Sequence, residues 1–147
     1  MRARRRDESG QVTLLIIGLA GIVLMAVVAV IDASSAYLQR QGLDTLADGA
    51  ALRGADLGST GIYEQGLDGE RLLQQEATVE AAVRQYLVSV GAPRKYPGID
   101  VQVRVDGAAR SVTVRLVAPL DLPLTVPGSP GRPLVGASST AAVTVQP

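Results

Sequence analysis

A chain of 147 residues has room for one small domain plus an anchor, and its 14 basic and 14 acidic residues leave no net charge to favour a nucleic-acid partner. Cysteine and histidine are both absent, which excludes thiol nucleophiles, disulfides, zinc sites of the usual ligand types and histidine acid/base relays. Phenylalanine and tryptophan are missing as well, so aliphatic side chains must build any core.

The first element is a basic leader, residues 1–11, carrying Arg2, Arg4, Arg5 and Arg6. Residues 12–31, "VTLLIIGLAGIVLMAVVAVI", follow without a charge. A helix of that length reaches roughly 30 Å, the thickness of bilayer hydrocarbon. The first basic residue after it is Arg40, so the positive-inside rule places the N-terminus in the cytoplasm and the rest of the chain outside. The predicted localisation is therefore a single-pass protein of the cell membrane with an extracytoplasmic C-terminal domain. A cleavable secretory signal is the alternative, with small residues ending at Ala29 and at Ala36 as possible cuts, but the apolar run is longer than the 7 to 15 or so residues of a signal core.

No proline or glycine interrupts positions 22–41, so the span is expected to continue outward as one helix through residues 32–57. There Leu43, Leu46, Ala47, Ala50, Gly54 and Leu57 recur at three- and four-residue intervals and share one face. Side chains this small allow close approach, so the face is expected to be an interaction face, lying against a sheet or a neighbouring helix. Glycines 42, 49 and 54 each cost about 1 kcal/mol of helix propensity, which close packing should recover. Asp44 and Asp48 stand four apart, yet Arg40 sits four residues before Asp44, and an ordinary surface pairing is the reading preferred over a metal or acid/base site.

The basic leader, the long apolar span, Asp32 at its outer end, Tyr37 and the alanine-rich "LADGAALRGA" together resemble the N-terminal region of TadE/TadG-like proteins. These are envelope components of the Flp (tight adherence) pilus-assembly system of bacteria. The resemblance covers about residues 9–56 and rests on Asp32, Tyr37, Arg40, Leu43, Ala47, Asp48, Ala50, Ala51, Leu52, Gly54 and Ala55, while Leu46, Gly49 and Arg53 depart from the family's longer alanine run. It implies a pilus-associated membrane protein with no known catalysis.

Residues 58–147 read as a small α+β domain. "GSTGIYEQGLDG" is expected to be a loop, followed from Glu70 by an amphipathic helix with Leu72, Leu73, Ala77, Val83, Tyr86, Leu87 and Val90 inward, stopped by Gly91 and Pro93. Glu80 and Arg84 should pair on its wet face. "IDVQVRV" and "SVTVRLV" alternate apolar and polar around the turn "DGAA", a hairpin. The prolines at 119, 123, 127, 130 and 133 argue against a central strand and for an edge segment with a stiff loop, and "VGASSTAAVTV" is expected to be the last strand. The whole is a long membrane helix extending outward, one amphipathic helix and an antiparallel sheet of three or four strands, pilin-like in outline.

The function expected is structural: a membrane-anchored component of a Flp-type pilus-assembly system. Its partners would be the lipid bilayer and other pilus or envelope proteins, or further copies of itself, with no nucleic acid, small-molecule substrate, cofactor or metal and no enzyme activity. The alternative function is a secreted binding module released by signal peptidase. Gly10 ends a leader like that of pilin precursors, but the fifth residue beyond it is Leu15 where pilins have glutamate, so the chain is expected to remain uncut there and to be an assembly factor rather than a major fibre subunit.

Overall fold

The computed structural model describes residues 9–62, 69–124 and 133–142. Its first element, α1 (Ser9–Ile62), is one helix of 54 residues, about 80 Å long at the α-helical rise. Among residues 12–31 the large apolar side chains are exposed, with the exception of Val28. The helix is long and apolar enough to cross a membrane, and its most apolar 18-residue window is 0% buried within the chain.

Continuity through residues 32–57 agrees with the sequence, but the expected loop does not begin at Gly58: α1 runs on to Ile62. Each added residue closes another backbone hydrogen bond, so two glycines near the end, at about 1 kcal/mol each, do not terminate an established helix. The rest of that expected loop, residues 63–68, lies outside the described residues.

Helix α2 (Gly69–Ser89) ends where expected. Gly91 adopts the left-handed conformation, φ 72°, and the carbonyl of Val88 accepts its N–H at 3.0 Å. A short helix α3 (Ala92–Lys95) then starts with Pro93 in its first turn and delivers Tyr96 into the core. The buried row of α2 is Val79, Val83 and Leu87, with Tyr86 partly buried. Ala77 and Val90, expected inward, are exposed, and the side chains of Leu72 and Leu73 lie outside the described residues. Val90 falls past the end of the helix, and Ala77 sits half a turn from Val79, which carries the larger side chain to bury.

Strands β1 (Asp100–Asp106), β2 (Ser111–Pro119) and β3 (Leu134–Ala142) form an antiparallel sheet in that order. β1 and β2 pair from Asp100↔Val117 to Asp106↔Ser111, and β2 and β3 from Ser111↔Ala142 to Pro119↔Leu134. At the hairpin the Asp106 carboxylate accepts the N–H groups of Ala108 and Ala109 at 3.0 and 2.9 Å, and Arg110 turns the chain with φ 47°. β2 is central and Pro119 belongs to it, contrary to the expectation from the prolines. It stands at the last position, where a missing donor interrupts no continuing ladder. The closing strand is found as far as Ala142, and residues 143–147 lie outside the described residues.

Alternation along β2 sends Val112, Val114, Leu116 and Ala118 to the buried face, each at most 1% exposed. Both long helices cover this face, α1 lying against β2 and β3 and α2 reaching β1. The opposite face carries Gln102, Arg104, Thr113, Arg115, Ser138 and Thr140, with a hydroxyl–hydroxyl bond of 2.8 Å between Thr113 and Thr140. This is a two-layer α+β fold whose spine is the outer half of α1.

Candidate interaction site on the long helix

Leu43, Ala47, Ala50 and Ala51 are fully buried, Ala55 and Gly54 are buried beside them, and Leu46 and Leu57 are half-buried. Of the residues predicted as an interaction face, Leu43, Leu46, Ala47, Ala50 and Gly54 are thus brought together in the chain's own core, with Val79, Val83 and Leu87 of α2 and the β2 row. Small side chains here set the distance between layers. A Cβ added at Gly54 would lie 2.9 Å from Val112 Cγ1, 3.2 Å from Val79 Cγ1 and 3.3 Å from Val83 Cγ2, the junction of helix, helix and sheet.

The other two glycines face tyrosines. The Tyr86 hydroxyl occupies the place a Cβ would take at Gly49, and the Tyr96 hydroxyl does so at Gly42. Both rings therefore lie across α1 where it has no side chain. Contact with the two rings, which an alanine would displace, offsets part of the helix-propensity cost at these positions.

Of the other residues carrying the family resemblance, Asp32 is half-buried, and Tyr37, Asp48 and Leu52 are exposed. Asp32 belongs to a group that the sequence reading did not assemble. Gln39 donates from Nε2 to the Asp121 carbonyl at 3.1 Å and accepts the Asp121 N–H on Oε1 at 3.1 Å. Ser35 Oγ donates to the same carbonyl at 3.5 Å, and the Leu124 N–H donates to Asp32 Oδ1 at 3.3 Å. Residues 120–124 are thereby strapped to α1 just beyond the apolar run, and the Leu120 N–H, bonded to the Pro133 carbonyl at 2.7 Å, closes the base of the strap. No edge strand forms at 120–124, because these backbone groups turn to helix side chains instead of a strand. The available signal was the recurrence of Asp32, Ser35 and Gln39 at three- and four-residue steps on one helix face.

Arg40 and Asp44 do not form the expected ion pair among the described residues. They line an open groove with Arg115, Gly136, Ala137 and Ser138. An exposed pair of this kind is worth only about 0.3–0.5 kcal/mol, too little to hold two side chains together against competing rotamers. Glu80 and Arg84 do pair, at 2.8 Å. Asp44 and Asp48 are both exposed, and among the described residues no group of three or more His, Cys, Asp or Glu could hold a metal ion. The arrangement offers packing surfaces and backbone-directed hydrogen bonds.

Residues 10–57 match the family model described as "Putative Flp pilus-assembly TadE/G-like". This bears out the resemblance read from the residues and covers both the exposed apolar part of α1 and its buried alanine face. No curated protein and no solved structure matches the chain.

Proposed function

We propose that this chain is a single-pass, membrane-anchored component of a Flp/Tad-type pilus-assembly system, with a structural or assembly role. Residues 1–11 form the cytoplasmic leader, 12–31 the span, 32–57 the helix leaving the membrane and 58–147 the extracytoplasmic domain. The observation that carries this reading is the double use of α1. Its inner part presents bare apolar side chains, its outer part is the spine of the folded domain, and the family match runs across both.

The alanine and glycine face is engaged within the chain, so contacts with other pilus or envelope proteins, or with further copies, fall to other surfaces. Exposed Tyr37, Asp48 and Leu52 on α1 and the polar face of the sheet are the candidates. The secreted-module alternative fits less well with a cut after Ala36, which would remove Asp32 and Ser35, two of the three side chains that hold the strap, than with one after Ala29, which would leave all three.

The test is alkaline washing of native membranes, protease digestion from the outer side and intact-mass analysis of the recovered chain. Retention in the membrane, digestion of the domain from outside and a leader still present are expected. A soluble chain beginning at Val30 or Tyr37 would replace this reading with the secreted module, and one beginning at Gln11 would make it a processed, pilin-like subunit.

A further inference from the structure

We infer that the Leu124 end of the strap at residues 120–124 is a second membrane contact, seated in the headgroup layer of the outer leaflet and held there by Asp32, with Ser35 and Gln39 tying the Asp121 end to α1 further from the bilayer. The inference rests on the anchored reading of α1 and adds a lipid-facing surface from a part of the chain remote in sequence from the span.

Position along the helix gives the first argument. Asp32 directly follows Ile31, the last residue of the apolar run, and its carboxylate holds the Leu124 N–H at 3.3 Å. The headgroup region adds roughly 5 to 7 Å to each side of the hydrocarbon, and one residue of helix advances about 1.5 Å. Leu124 therefore stands at headgroup level when residues 12–31 span the bilayer.

The strap also has the chemistry of an interfacial segment. Backbone donors taken from water must find partners, and here the N–H groups of Leu120, Asp121 and Leu124 are bonded to Pro133, Gln39 and Asp32, while Pro123 has none to satisfy. Leucines recur at 120, 122 and 124, the first two half-buried and Leu124 exposed at 38%. Apolar side chains on a segment with three of its four N–H groups already paired with protein suit the boundary between headgroups and acyl chains.

The absence of native cysteine permits a direct test with the full-length chain in phosphatidylcholine vesicles containing a headgroup-nitroxide phosphatidylcholine. Single-cysteine variants Ile22→Cys, Leu124→Cys and Ala109→Cys each carry an environment-sensitive fluorophore. The expected result is a several-fold greater headgroup quenching at Leu124→Cys than at Ala109→Cys in the hairpin turn, with the Ile22→Cys label showing the blue-shifted emission of hydrocarbon. Adding Asp32→Ala and Gln39→Ala should abolish the excess quenching at position 124 and leave the label at position 22 in hydrocarbon. If position 22 is in hydrocarbon and position 124 is no more quenched than 109, the strap proposal fails and the anchor stands. A label at position 22 in water overturns both. Excess quenching at 124 that survives the double substitution removes the clamp from the proposal.

Discussion

Placing one methyl group at Gly54 and, separately, at Gly49 compares two packed positions on one helix. Replacing glycine by alanine inside a helix gains about 1 kcal/mol of propensity at either position. At Gly54 the new carbon would lie 2.9 Å from Val112 Cγ1, with Val79 and Val83 at 3.2 and 3.3 Å. All three valines are at most 1% exposed and enclosed by the core, so none can yield without displacing a layer. Overpacking of this kind costs about 1 to 3 kcal/mol, giving a net loss of up to about 2 kcal/mol. At Gly49 the methyl meets the hydroxyl end of Tyr86, a half-buried ring that can swing outward, and the net change should lie between zero and a gain of about 1 kcal/mol. Urea titration of the full-length variants in detergent, followed by near-ultraviolet circular dichroism of the tyrosines, measures both. Gly49→Ala should be the more stable, by up to about 3 kcal/mol, each kcal/mol being worth several degrees in Tm for a domain this small. The reverse order would refute the packing argument.

Three further outcomes can be read in the same titration. Leu116→Ala, which empties a fully buried position of the central strand, should cost about 2 to 5 kcal/mol, and a loss below about 1 kcal/mol would show that the sheet row is not the centre of the core. Arg110→Gly should stabilise the hairpin by up to about 1 kcal/mol, because its positive φ strains any side chain with a Cβ, and destabilisation would mean that the arginine side chain contributes more than the strain costs. Glu80→Gln should change stability by less than about 0.5 kcal/mol, since its pairing with Arg84 is well exposed to solvent, and a loss above about 1 kcal/mol would contradict surface screening there.

What could be read from residue order divides along physical lines. The unbroken helix, the hairpin and the stop at Gly91 follow from local rules: absence of breakers, strict alternation, and a residue that tolerates φ 72°. Glu80 and Arg84 obey the same local geometry, four residues apart on one helix. The misreadings needed information from elsewhere in the chain. Ala77 and Val79 are both apolar, and only the position of Gly54 and the sheet decides which of them faces inward. Tyr96 was missed because its place depends on Gly42, far earlier in sequence. The strap was invisible for the same reason: nothing in the run from Leu120 to Leu124 states that its backbone groups will meet Gln39 and Asp32. Pro119 misled because a rule about strand interiors was applied to a strand end.

The burial of the α1 face against the last strand has a consequence for the order in which the molecule is made. Ala55 leaves the ribosome roughly 85 residues before β3 is complete, an interval of roughly 4 to 17 s at about 5 to 20 residues per second. Throughout that time the seam lacks β3, and until Ser89 has been made it lacks α2 and the whole sheet as well. A leucine-rich stripe would then offer the newly made chain, and its neighbours, a large adhesive surface. Alanine and glycine expose far less, and they become tightly held only when β-strands of matching shape arrive. The small-residue seam thus serves the nascent protein as well as the finished one, keeping the first-made part of the domain unattractive until its last-made part can cover it.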